Sequence, residues 1–203
     1  LSIGTLLLFL KRWLKMFKSI FNSYLQMEPF EFNTKEMTKE ILECKKNSQG
    51  RSISNYGGWQ SLYFKKPKKP FIDLFKKIDK VVENLELKLN LNKKLNSVRG
   101  YWYNVNSFGS FNRPHTHPGA ILSGVYYINV PENSGNFILE QSNYGVNQTY
   151  LNIIEKYNEY NSPSWKVIPE ENLCIFFPSY LVHYVEPNLN KKDRISIGFN
   201  YEL

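Results

Sequence analysis

The 203-residue chain contains only three histidines and two cysteines, and each scarcity excludes something. Cys44 and Cys174 lie far apart, in the contexts LEC and LCIFF, so they are not the disulfide framework of a small secreted fold. They are expected as buried or incidental thiols in a reducing, intracellular compartment, which makes a cytoplasmic location the expectation. The apolar run Leu6 to Leu10 falls far short of the roughly 20 residues a spanning helix needs. It also lacks a preceding basic stretch and a following small-residue cleavage site, which excludes both a transmembrane segment and a signal peptide. The chain has no glycine-rich phosphate loop, no internal repeat and no low-complexity tract. Acidic residues are the minority: 18 Asp and Glu against 26 Lys and Arg leave a net charge of +8. The imbalance is local, since residues 1–100 hold 20 basic against 9 acidic side chains (+11) and residues 101–203 hold 6 against 9 (−3). A hydrophobic content of 42% with 16% aromatics is enough to build the core of one ordinary domain.

The sequence opens on leucine rather than methionine, as expected of a fragment, a processed chain or an extension upstream of a start at Met16 or Met27. Residues 1–27 form a separate amphipathic basic segment. Leu6, Leu10, Trp13, Phe17, Ile20 or Phe21 and Tyr24 recur at helical spacing, with Lys11, Arg12, Lys15 and Lys18 elsewhere on the wheel. A packing helix, a non-native extension and a helix lying on a membrane surface all fit that pattern.

Residues 28–203 are expected to form a single domain, helical in front (28–96) and β-rich behind (97–203). Asn33 or Thr34 suits an N-cap for a helix that turns Ile41 and Leu42 inward and ends near Asn47 to Gly50. After the turn-rich stretches RSISNYGGWQS and KKPKKP, Pro70 is placed to be the first residue of a long helix. Phe71, Leu74, Phe75, Ile78, Val81, Val82 and Leu85 form its apolar stripe, which should pack on a sheet. Beyond residue 97 the period drops to two. SVRGYWYNVN, ILSGVYYINV, GNFILEQ, NLCIFFPS and RISIGFNYEL are β-branched or aromatic runs set apart by Pro, Gly, Asn and Ser, the pattern of an antiparallel sandwich.

All three histidines fall at ends of these strands. His115 and His117 precede ILSGVYYI, and His183 follows CIFFPS. In an extended segment residues i and i+2 point to the same side, so His-x-His offers two imidazoles to one ion. A third ligand from a distant strand would complete one face of an octahedron and leave open positions for oxygen chemistry, as non-haem iron uses.

Together, GGWQS, HTHPGAILSGVYYINVPENSG, IFFPSYLVHYVEP and RISIGFN, in this order and spacing over roughly residues 51–203, resemble the 2-oxoglutarate/Fe(II)-dependent oxygenases, specifically a small group found in bacteria and phages. The resemblance implies a double-stranded β-helix, a jelly-roll of cupin-like shape with Fe(II) at its mouth held by His115, His117 and His183. His117 stands where most of the superfamily has Asp or Glu, leaving the metal one negative charge short. The same resemblance implies a 2-oxoglutarate site on Arg194 and Ser196, with Tyr127 on the same carboxylate and Asn104 near the cosubstrate's other end. A dicarboxylate chelating iron at one end needs its far carboxylate neutralised, and a guanidinium fork does so bidentately. The implied reaction consumes O₂ and 2-oxoglutarate, releases succinate and CO₂, and hydroxylates an unidentified small molecule or peptide. Trp59 and Gln60, in SNYGGWQS, are candidates for the wall on the substrate side, and Arg113 for an acidic substrate group. Two alternatives stay open: a three-histidine dioxygenase that does not use 2-oxoglutarate, and a nucleic-acid-directed module using the basic half with Tyr56, Trp59, Tyr63 and Phe64.

Overall fold

The computed structural model describes residues 23–141 and 153–203. Most of the expected N-terminal amphipathic helix therefore lies outside the described residues. Among those described, two helices and eleven strands follow the order β1 (Gln26–Pro29), α1 (Lys35–Lys46), β2 (Asn55–Tyr56), β3 (Trp59–Gln60), α2 (Ile72–Lys88), β4 (Asn96–Asn106), β5 (Phe111–His115), β6 (Leu122–Asn129), β7 (Phe137–Glu140), β8 (Ser164–Val167), β9 (Leu173–Pro178), β10 (His183–Val185) and β11 (Arg194–Glu202). The larger sheet runs β1-β9-β6-β11-β4-β3 and the smaller β2-β5-β10-β7-β8, every pairing antiparallel. From β4 to β11 the chain crosses between the sheets at every connection except β7 to β8. This is the double-stranded β-helix. No helix among the described residues is long and apolar enough to cross a membrane.

Strand alternation divides the core in two. On the outer face of the larger sheet Tyr101, Tyr103, Tyr126, Phe176, Phe199 and Tyr201 meet the stripe Leu74, Phe75, Ile78, Val82 and Leu85 of α2, with Met37 and Ile41 of α1. Phe75 stacks on Tyr101 at 4.6 Å between centroids. Burying each such side chain stabilises the fold by about 1.5–3 kcal/mol. Between the sheets Tyr127, Phe137, Leu139, Ile175, Phe177 and Leu181 make the second core. Tyr126 and Tyr127 thus go to opposite faces, and only Tyr127 reaches the interior of the barrel.

Local details differ from the sequence expectation. Pro70 lies before, not inside, the long helix, whose N-cap is Phe71 and first residue Ile72; Phe71 is fully buried, and that anchorage sets the helix start. Thr34 is the N-cap of α1 but its hydroxyl donates to Glu171 at 2.7 Å, while Asn33 Oδ1 accepts from the Lys35 N–H at 3.2 Å. Gln26 and Met27, placed in the N-terminal helical segment, are strand: β1 pairs with β9 and so satisfies that sheet edge. The front segment is also not purely helical, because β2 and β3 pair with β5 and β4 and extend both sheets. At two residues each, these strands are too short to leave a periodicity in the sequence.

Candidate metal and cosubstrate cleft

His115 ends β5 and His183 opens β10, and these two residues are directly paired across the strands, with ring centroids 4.2 Å apart. His117, two residues on, is fixed by its backbone N–H donating to Ser179 O at 3.0 Å, and its ring lies 5.1 and 5.0 Å from the other two. One ligand nitrogen from each of the three lies within 4.8 Å of the others. His117 Nε2 and His183 Nε2 are 3.2 Å apart. Two nitrogens bound at right angles to one metal at about 2.1 Å would stand about 3 Å apart, so this pair is spaced for a shared ion.

The tautomers follow from the backbone. His115 Nδ1 faces Arg113 O at 2.7 Å and His183 Nδ1 faces Leu181 O at 2.9 Å. A carbonyl only accepts, so Nδ1 carries the proton in both rings and each Nε2 keeps a free lone pair for a metal. Burial lowers all three imidazole pKa values, His117 to about 4 and His183 to about 2, with the neighbouring histidines adding to the effect in those two. Phe137 and Phe177 pack on His183 at 5.4 and 4.7 Å, and Trp102 on His117 at 5.5 Å, which supplies the desolvation. The triad is therefore neutral and ready to ligate at neutral pH.

The register of the larger sheet assembles the second half of the site. Ser196 on β11 is paired with Asn104 on β4 and with Tyr127 on β6, and Asn104 is paired in turn with Gln60 on β3. Four residues from four strands thus form one row on the face that lines a cleft of about 360 Å³, together with the three histidines. Arg194, one step along β11, is 2% exposed. Its Nη1 donates to Ser134 O, and to Gly135 O at 3.3 Å, and among the described residues it has no carboxylate partner. Burial lowers its pKa. Asp193, the sequence neighbour that could have paired with it, instead faces Lys45 at 3.4 Å. The Tyr127 hydroxyl and Asn104 Oδ1 are buried with no hydrogen-bond partner. The unsatisfied Tyr127 hydroxyl, a donor, beside an uncompensated guanidinium calls for a ligand carrying negative charge; Asn104 Oδ1 is an acceptor, and only its NH₂ would serve such a ligand.

Gly135 and Gly198 are structural conditions of this site. Gly135 has φ +88°, and a Cβ there would overlap Glu186 O; this lets the turn after β6 bring its carbonyls to Arg194. A Cβ on Gly198 would overlap the indole of Trp102, its cross-strand partner, which needs that space to lie beside His117.

Of the residues anticipated on the substrate side, Gln60 and Arg113 line the cleft and Trp59 does not. The Trp59 indole N–H donates to Ser48 O at 2.9 Å and its ring packs on the helix-side core. The Gln60 carboxamide oxygen accepts from Arg51 Nη2 at 3.0 Å. Sequence reasoning missed Trp102 and the amides Asn106, Asn112 and Asn200, and it named Tyr63 only as an aromatic for nucleic acid; Trp102 and Tyr63 meet edge to face at 5.3 Å and wall the cleft. No motif marks them. Only the alternation of YWYNVN, which puts Trp102, Asn104 and Asn106 on one face, held a signal.

Residues 100–200 match a family model described as "Putative 2OG-Fe(II) oxygenase". Among solved structures, the chain is similar to a prolyl-4-hydroxylase from Pseudomonas putida (14% identity, TM-score 0.62, covering 88% of this chain and 92% of that one). It is also similar to the viral collagen prolyl hydroxylase of Paramecium bursaria Chlorella virus-1 in its 2OG complex (16% identity, TM-score 0.59, 89% and 97%). A third is a prolyl hydroxylase from Trichoplax adhaerens in complex with a hypoxia inducible factor peptide fragment (15% identity, TM-score 0.60, 88% and 83%). At these identities the likeness is one of fold. No curated protein matches the sequence.

Proposed function

Through residues 100–200 the chain belongs to the 2OG-Fe(II) oxygenase family, and from that premise we propose that it is an Fe(II)- and 2-oxoglutarate-dependent dioxygenase that hydroxylates a second substrate. The observation that carries this is Arg194: a buried guanidinium without a carboxylate, next to a buried hydroxyl without a partner, in the same cleft as three neutral imidazoles. A three-histidine dioxygenase that does not take 2-oxoglutarate would need such a cation only for an anionic substrate of its own.

His115, His117 and His183 hold the metal, and with O₂ and 2-oxoglutarate the bound Fe(II) supplies oxidative decarboxylation to succinate and CO₂ coupled to C–H hydroxylation. The residues of the chain bind, orient and shield. Arg194 neutralises the far carboxylate of the cosubstrate, Ser196 and Tyr127 donate hydroxyl hydrogen bonds to it, and the Asn104 amide meets the cosubstrate nearer the metal. Phe137 and Phe177 shield the His183 ring and Trp102 that of His117, which favours neutral imidazoles that need lose no proton before they ligate.

The test is succinate formation from 2-oxoglutarate by the purified protein with Fe(II) under air, in the absence of any second substrate. Slow turnover is expected, absent without Fe(II) and absent in His183→Ala, which also should not retain Fe(II) by metal analysis. Fe(II) stoichiometry unchanged in His183→Ala would overturn the ligand assignment.

A further inference from the structure

Among the described residues lining the cleft, only Arg113 and Arg194 are charged, and none is acidic or a lysine. If Arg194 takes one carboxylate of 2-oxoglutarate and the metal the other end, Arg113 is left uncompensated. It stands two residues before His115 on β5, its backbone N–H donating to Ser54 O at 2.9 Å, and its guanidinium lies 5.4 Å from the Tyr56 ring. It has no carboxylate partner among the described residues. A second cation stands beside the cleft: Arg51 lies 3.4 Å over the ring of Tyr63, a residue of the cleft wall, and it too lacks a carboxylate partner. The remaining polar lining is neutral: the amides Gln60, Asn104, Asn106, Asn112 and Asn200, with hydroxyl side chains and the three imidazoles. Arg113 is exposed at the mouth of the cleft, where water screens it in the free protein, and the lining as a whole has a positive potential that favours an anionic ligand.

Size and shape narrow the class. A cleft of about 360 Å³ is at the small end for ligand sites, roughly 300–1,000 Å³. With a dicarboxylate already inside, the room left suits a molecule the size of an amino acid. On one side Trp102 and Tyr63 present an aromatic wall beside His117. Two residues of strand span about 6.6 Å, so an anion held by Arg113 places carbon a few bonds away near the metal ligands.

We propose that the second substrate is a small organic carboxylate, its anionic group held by Arg113 and its carbon skeleton laid along Trp102 and Tyr63. This rests on the function proposed above, and the experiment separates the two. Protein loaded with Fe(II) and saturating 2-oxoglutarate under anaerobic conditions is titrated calorimetrically with phenylacetate and with its neutral isostere phenylacetamide. Saturation with 2-oxoglutarate removes Arg194 as a competing anion site. Phenylacetate should bind one to one, with the amide roughly tenfold weaker or more, the scale of a hydrogen bond to a charged group. Arg113→Gln should erase that preference while leaving 2-oxoglutarate affinity as it was. Equal binding of acid and amide, no binding of either, or an Arg113→Gln protein that still prefers the acid overturns the carboxylate assignment alone. Failure of 2-oxoglutarate itself to bind overturns the underlying function and this inference with it.

Discussion

Replacing Arg194 with methionine separates a cosubstrate-binding role from a structural one. Arg194 is 2% exposed, its guanidinium donates to the Ser134 and Gly135 carbonyls, and among the described residues it faces no carboxylate. Without 2-oxoglutarate, therefore, the fold carries a buried, uncompensated charge that costs several kcal/mol. Methionine fills much of the same space and removes that cost, at the loss of two hydrogen bonds of about 0.5–1.5 kcal/mol each. The ligand-free variant should thus melt at or above the wild-type temperature. Bound 2-oxoglutarate reverses the balance, because its far carboxylate would be desolvated opposite a thioether, a loss of about 2–5 kcal/mol. That corresponds to roughly 30- to 5,000-fold weaker binding. Anaerobic calorimetric titration of 2-oxoglutarate into Fe(II)-loaded protein measures it, with a melting curve of each variant alongside. Ser196→Ala, losing one hydrogen bond, should cost only about 0.5–1.5 kcal/mol. An Arg194→Met protein with wild-type affinity would refute the reasoning, and so would one that is strongly destabilised before any ligand is added.

Tyr127→Phe removes a buried hydroxyl that has no protein partner, so it should leave stability unchanged or raised and weaken 2-oxoglutarate by about 0.5–1.5 kcal/mol; a marked drop in melting temperature would argue for a structural hydroxyl. In the metal-free protein the imidazoles of His117 and His183 are depressed to about 4 and about 2, against about 6.5 in the unfolded chain. The unfolded state therefore binds protons first, and stability that is complete above about pH 6.5 falls as acid is added, through about pH 4 for His117 and on toward pH 2 for His183. Urea midpoints measured between pH 7.5 and pH 4 should decline, less steeply in His117→Asn; identical slopes would contradict the burial argument. Gly198→Ala, whose Cβ would overlap the Trp102 indole, should destabilise by about 1–3 kcal/mol and alter the tryptophan near-ultraviolet dichroism, whereas a wild-type melting curve would show that Trp102 can move aside freely.

The sequence alone was enough for the features written in local period and spacing. The stripe of α2, the five apolar strand runs and the three histidines at strand ends are one-dimensional patterns, since helical and extended backbones repeat their side chains at 3.6 and 2 residues wherever they occur. His-x-His needed no fold to be suspected, because its two rings share a side of any extended segment. Register and burial were settled only in three dimensions. Nothing local says that Ser196 lies opposite both Asn104 and Tyr127, or that Gln60 continues that row, because cross-strand neighbours are chosen by which face of the whole sheet is buried. Nor does the dipeptide Asp193-Arg194 show that the aspartate turns to Lys45 and leaves the guanidinium inside without a carboxylate. Trp59 is the opposite case: beside Gln60 in sequence, it faces the helix-side core while Gln60 faces the cleft, since neighbours on a strand point to opposite sides. The chemistry is carried by residue types that the sequence displays, but the charge left unbalanced in the cleft exists only because packing two sheets together removed those residues from water.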